Sequence, residues 1–417
     1  MNTIEYSINY QKYVSELNFN YKLFWASVLL YSISGGLGNT FIESLYKIEQ
    51  FFQMIALLGI FYSTYHIVQF RSPNKVISIL LVIYFIWVIF ITFYGFEYTY
   101  QSTKAVIFGG VFKYLFPLLL FFPRNLFFYK KLFSVIFVLA IAYIVYNLLF
   151  FEEVTTHYET NVNEKFIFEG FTRNFGIPLG FLLFTYIYHS KIKNLTVLLS
   201  VLFMVGVAAY RARRSIMVVG VVYLLIFLVI LYLYSNRKVL MAMLFGVFLL
   251  VASVFAGQIY QKLRFTFFEK IEERSTENTR EYVELHFYRD FELQDWIIGR
   301  GINGTYWCPN IDVNDTTGYR RMIETDYLNM ILKGGAILLV LILLISIPAA
   351  FKAFFYSKNL LSKAAGIWII LWILSLYPMN VFIFSVNYMI FWIAVGIGYS
   401  RDIRYLSDET IKEAFKQ

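Results

Sequence analysis

Apolar stretches of roughly 16 to 22 residues recur along nearly the whole chain, each ended by a short polar or charged gap; ~20 apolar residues are what a helix needs to cross ~30 Å of hydrocarbon. The pattern predicts about twelve spans: 21–39, 51–70, 76–95, 105–122, 130–150, 174–189, 195–210, 215–234, 239–256, 334–351, 364–378 and 380–399. Alternating lipid-facing strands are absent from the pattern, so a helical bundle is expected rather than a barrel. The span 174–189 is short and holds Pro178, and the last two spans meet near Pro378 and Asn380. The longest polar stretch, 257–326, is expected to fold as a cap over one membrane face. Its part from Tyr260 to Leu293 reads as helix, and Gly299 to Thr317 reads as irregular turns. The tail 401–417 reads as a short amphipathic helix. The fold class expected is an all-α polytopic membrane protein with one long extracytoplasmic loop.

Charge orients that array. With the N-terminus inside, the inside gaps carry Arg71 and Lys75, Arg124 with Lys130 and Lys131, Lys191 and Lys193, Arg237 and Lys238, then Lys352, Lys358 and Lys363. The outer connections hold little beyond Lys47, Lys104, Lys165 and Arg173, with one exception: Arg211, Arg213 and Arg214 sit flush with a helix end on the outer side. Met1 to Asn20 has no apolar core with a cleavage site, so the first span is expected to direct insertion.

Composition agrees. At 59% hydrophobic, 21% aromatic and 15% charged, the 417 residues have too little polar surface to coat a soluble globule of that size. The formal charge of +9 lies mostly at helix ends and belongs to topology, so nucleic acid is not an expected partner. Four scattered histidines lack metal-ligand spacing, and neither a metal nor another cofactor is expected. The lone Cys308, in the outer loop, has no pairing partner and is expected to be an externally accessible thiol.

The chemistry therefore concentrates at one face. Two readings fit Arg211, Arg213 and Arg214: anchoring at the headgroup level, or bidentate guanidinium binding of a phosphate. The positive-inside bias favours the second. Arg173 precedes the sixth span, and Arg280 starts a cap helix that leads to Gly299-Arg300-Gly301. Those glycines permit close backbone approach to a ligand, or form an ordinary loop. Glu324 and Asp326 stand at the mouth of an apolar helix, where they are either helix caps or, for Glu324, a general base beside the arginines. Trp296, Tyr306 and Trp307 fit stacking on sugar rings, or the core of the cap itself.

This order of features resembles the O-antigen polymerase and O-antigen ligase superfamily. Arg173-Asn174-Phe175-Gly176 resembles its Arg-x-x-Gly element, Arg213-Arg214-Ser215 the arginine opening a later span, and Arg280 with Gly299-Arg300-Gly301 the loop arginine and trailing Gly-x-Gly. Ligases of the superfamily carry His, then Asn, Ser or Gln, then nine residues and Gly; here Glu324, Thr325 and Gly335 occupy those places, which fits a polymerase better.

The resemblance implies an enzyme of the bacterial inner membrane that works on its periplasmic side. It would transfer an undecaprenyl-diphosphate-linked glycan to a sugar hydroxyl of a second lipid-linked repeat without a metal. Arg173, Arg211, Arg213, Arg214 and Arg280 would hold the diphosphate, with Glu324 as base. Trp296, Arg300, Tyr306, Trp307 and Asp326 are the glycan-side candidates. Implied partners are the lipid-linked oligosaccharide, membrane lipid and a polysaccharide chain-length regulator. A ligase shares the expected fold. A flippase is the competing class, although Lys113 and Pro117 in the fourth span are nearly the sole polar or breaking residues at span centres, and no internal repeat is present.

Overall fold

A computed structural model describes residues 3–38, 40, 43–70, 74–109, 111–155, 164–211, 213–235, 238, 246, 279–309 and 317–416. The protein is an all-α membrane protein. Among the described residues, five helices are long and apolar enough to span a bilayer: α3 (Lys75–Phe93), α5 (Leu126–Leu149), α9 (Lys191–Tyr210), α10 (Arg214–Tyr234) and α13 (Asp326–Phe355). Preceding or joining them are α1 (Thr3–Gly38), α2 (Glu43–Ile67), α4 (Tyr100–Gly109), α6 (Phe151–Thr155), α7 (Glu164–Phe171) and α8 (Leu179–Phe184). The C-terminal part holds α14 (Leu360–Ser375), α15 (Val386–Tyr399), α16 (Arg401–Tyr405) and α17 (Asp408–Lys416). The expected ninth span, 239–256, lies almost wholly outside the described residues.

Single polar residues in the gaps start several helices. Asn74 Oδ1 accepts from the Ile77 amide at 2.9 Å, Asn125 Oδ1 from Phe127 at 2.8 Å, and Asn359 Oδ1 from Ser362 at 2.8 Å, which satisfies amides that a helix start leaves orphaned. The helices then segregate by burial. Ile79, Ile86 and Ile89 of α3, and Val218, Leu225 and Val229 of α10, face outward as a lipid-contacting surface. Every residue of α15 is buried, with Trp372 of α14 stacked on Tyr388 at 4.9 Å, so α15 forms the axis of the C-terminal bundle. At the chain end, Phe415 of α17 meets Phe133 at 5.3 Å, docking the expected amphipathic tail helix onto α5.

Three expected spans are corrected by the structure. The fourth, 105–122, is broken: α4 stops at Gly109 and a 3₁₀ helix, Val111–Phe121, follows with Pro117 inside it, where a missing amide and a ring clash oppose α-helix. The sixth, 174–189, is a five-residue π-helical turn (Thr172–Gly176), then α8, then a 3₁₀ turn (Tyr186–Tyr188). The twelfth becomes helical only at Val386, with Ser385 as its N-cap.

Within the polar segment, the described residues form two helices, α11 (Thr279–Asp290) and α12 (Leu293–Ile298), and a small hairpin; the earlier part of the expected helix, 260–278, lies outside the described residues. In the hairpin, β1 (Tyr306–Trp307) pairs antiparallel with β2 (Tyr319–Arg320), where the sequence pattern predicted only turns. Phe287, Phe291, Tyr306, Ile323 and Leu328 form a separate apolar core beneath it. Cys308 belongs to that core at 2% exposure, which corrects the expectation of an accessible thiol: it packs within the apolar cluster rather than facing out.

Candidate functional site

The α9–α10 connection and the π-helical turn meet at Glu169 of α7. One carboxylate oxygen of Glu169 takes Arg213 at 2.6 Å, and the other takes Arg173 at 3.2 Å. The π-turn contributes to this placement. Its i→i+5 bond, from the Ile177 amide to Thr172 O at 2.9 Å, inserts an extra residue and re-aims the side chains around it. Tyr143 and Thr172, whose hydroxyls lie 3.1 Å apart, and the Phe175 ring against Tyr146 pin the turn from beneath.

Arg211 is buried and points elsewhere: its Nη1 donates to the carbonyls of Val154 at 2.9 Å and Glu153 at 3.3 Å, tying the α9 end to α6. Arg214 is exposed in the first turn of α10. Of the expected diphosphate group, the structure thus brings Arg173 and Arg213 together on one carboxylate and sets Arg211 and Arg214 close by in sequence. Two guanidinium groups sharing one carboxylate leave the cluster with net positive charge, and guanidinium forks pair with phosphate as well as carboxylate oxygens. Arg280 lies in the first turn of α11.

Two side chains at this end escaped the sequence reading. Glu169, in a short helix, has no motif to mark it. Glu49 is the other: it lies in the second turn of α2, just before the apolar stretch 51–70, and Gln53 Nε2 donates to it at 2.8 Å. The Gly35-Gly36-Leu37-Gly38 run makes room for it, because a Cβ on Gly38 would stand 1.8 Å from Glu49 Oε2 and one on Gly35 3.6 Å from Asn174 Nδ2. Burial pushes the Glu49 carboxyl up to about 7, against the lowering effect of the Gln53 amide. A carboxyl raised in this way is a candidate general acid or base.

In the cap, Arg300 is a clamp. It donates to Asp295 Oδ2 at 2.7 and 3.0 Å, to the Asp290 carboxylate, to Asp290 O at 2.6 Å and to Thr305 O at 2.8 Å, and lies 4.6 Å over the Phe291 ring. The flanking glycines do approach something closely, namely the chain's own backbone. The Arg300 amide donates to Leu332 O at 2.7 Å, Gly301 to Lys333 O at 3.0 Å and Ile302 to Ile91 O at 2.9 Å. A Cβ on Gly301 would lie 1.7 Å from Tyr94 O.

Trp296 packs edge-on to Phe287 at 5.7 Å, and Tyr306 is wholly buried, so both belong to the cap core. Trp307 and Tyr319 differ: they face each other across the hairpin at 5.1 Å and stay 41% and 51% exposed, an aromatic surface open to a ligand.

At the mouth of α13 the N-cap is Thr325, whose hydroxyl donates to Glu284 Oε1 at 2.5 Å rather than to its own helix. Glu324, in the bend before it, is exposed. Asp326 is buried; its Oδ2 accepts from the amides of Phe382, at 2.6 Å, and Val381, so it caps the segment leading into α15 instead of its own helix. No protein-family model matches the chain, and neither a curated protein nor a solved structure matches it.

Proposed function

We propose that the chain is a surface-polysaccharide polymerase of the bacterial inner membrane, built on about twelve spans with its chemistry on the periplasmic side. In this reading it transfers a glycan from undecaprenyl diphosphate to a sugar hydroxyl of another lipid-linked repeat. The observation that carries the reading is the convergence of Arg173 and Arg213 on Glu169. Fixed guanidinium charge of this kind stabilises a departing diphosphate, and preorganised electrostatics is commonly a large catalytic contribution. Arg214 and Arg280 are the further diphosphate candidates. Glu324, exposed at the cap junction, accepts the proton of the attacking hydroxyl, and Trp307 with Tyr319 holds a sugar face.

A second reading, a flippase for lipid-linked oligosaccharides, is favoured by one observation. The fourth span is broken and puts Lys113 in the bundle interior, a feature typical of transporters. One experiment separates the two, together with the ligase variant. In a strain lacking the protein, the polysaccharide length distribution is measured after complementation with wild type, Arg213→Ala or Glu324→Ala. Single repeats joined to a normal acceptor, with long chains restored by wild type alone, support the polymerase. Long chains left on the lipid carrier mean ligase, and repeats held on the cytoplasmic side mean flippase.

A further inference from the structure

Asp326, Asn329 and Lys333 lie three and four residues apart, so they share one face of the first two turns of α13. All three are buried. The face runs about 10 Å along the helix axis. Against it comes Lys113 from the 3₁₀ helix, its ammonium 4.3 Å over the ring of Phe382, the residue whose amide holds Asp326. Lys333 Nζ donates to Gly304 O at 2.8 Å, next to Asn303 in the cap loop. Three irregular segments, the 3₁₀ helix, the loop after Gly299 and the stretch leading to Ser385, thus converge on one polar strip inside an apolar bundle.

Pinning those segments together accounts for Asp326 Oδ2 and Lys333 Nζ. It leaves other atoms unexplained. Asn329 Oδ1 and Asn380 Oδ1 are buried acceptors, and Asn303 Nδ2 a buried donor, with no hydrogen-bond partner among the described residues. Asn380 adjoins Val381, which donates to Asp326, and the Asn329 amide lies beside the same carboxylate. A buried polar atom without a partner is destabilising, so a cluster of them calls for a ligand.

The mixture of groups selects its chemistry. A phosphate would face a carboxylate and two amide oxygens, and an acyl chain would satisfy nothing. Hydroxyl groups donate to the orphaned oxygens and accept from Lys113 and the Asn303 amide. We propose that this strip binds the hydroxyls of a glycan. The proposal rests on the polymerase reading and deepens it: Glu324 stands two residues before Asp326, so a sugar seated on the strip leads from the cap junction into the bundle.

The test uses the full chain in lipid nanodiscs. Thermal unfolding is followed with two separate probes, the repeat oligosaccharide released from the lipid carrier of the source strain, and undecaprenyl diphosphate. Asn329→Leu and Asn380→Leu conserve volume; Asn380→Leu removes an orphaned oxygen, so its unliganded Tm stays level or rises, while Asn329→Leu also loses the amide beside Asp326 and its unliganded Tm falls. Wild type is expected to be stabilised by both probes. The variants are expected to keep the diphosphate response and to bind the oligosaccharide at least tenfold more weakly. Oligosaccharide binding unchanged in both variants would overturn the strip and leave the polymerase reading standing. A wild type that responds to neither probe would remove that reading and the strip with it.

Discussion

A Cβ on Gly335 would stand 2.0 Å from the carbonyl oxygen of Ile297. Gly335 itself has φ +65° and ψ −178°, a backbone region that is essentially glycine's alone, and it interrupts α13 where the cap loop inserts. Gly335→Ala is therefore expected to lower stability by roughly 2–4 kcal/mol, through backbone strain and the clash together. Unfolding in detergent or nanodiscs measures it, and an unchanged midpoint would show that the break is not needed.

The Glu169 bridge should be energetically coupled. Removing Glu169 alone leaves Arg173 and Arg213 facing each other without their shared counter-charge, whereas removing Arg213 as well relieves part of that repulsion. A double-mutant cycle of Glu169→Ala and Arg213→Ala is expected to give a coupling on the order of 1 kcal/mol or more. Strictly additive losses would mean that the pair is an incidental surface contact.

Cys308 should resist a membrane-impermeant maleimide in the folded protein and react after denaturation, since burial raises its thiol pKa and covers the sulfur. Trp307→Cys in a Cys308→Ala background moves the thiol to an exposed face of the hairpin. Labelling of intact cells at that position is expected if the cap is extracytoplasmic. Labelling that requires permeabilisation would invert the topology.

Glu49 makes stability fall as pH rises. Its folded carboxyl titrates at about 7 and an unfolded one at about 4.3, so its contribution is complete below the unfolded value and is lost as pH climbs through the folded one. Across pH 5 to about 8, Glu49→Gln should show a flatter stability profile than wild type. Parallel profiles for the two proteins would exclude this carboxyl as the titrating group.

Long apolar stretches announced α3, α5, α9, α10 and α13 because twenty consecutive lipid-compatible residues leave a chain few alternatives. The breaks were harder to read. Pro117 flagged the fourth span, but the start of α15 depends on Asp326 reaching a segment more than fifty residues away in sequence. For the site, arginines on the unexpected side of a membrane could be picked out by their conflict with the usual charge bias. Glu169 and Glu49 could not, since a carboxylate acquires its meaning from neighbours brought by other helices. The same holds for Gly299 and Gly301: their need for close approach could be anticipated, while the identity of what approaches is a tertiary fact.

The interruption of α13 also decides how the cap can move. Leu332 and Lys333 give their carbonyls to the Arg300 and Gly301 amides, and Gly334 gives its own to the Trp87 indole. The cap loop is thereby woven into the bundle by main-chain bonds rather than resting on it. It cannot swing open as a hinged lid without unravelling the helix beneath, and it cannot be excised as a soluble fragment. On the proposed polymerase reading, a lipid-linked substrate would then enter sideways, between helices within the plane of the bilayer.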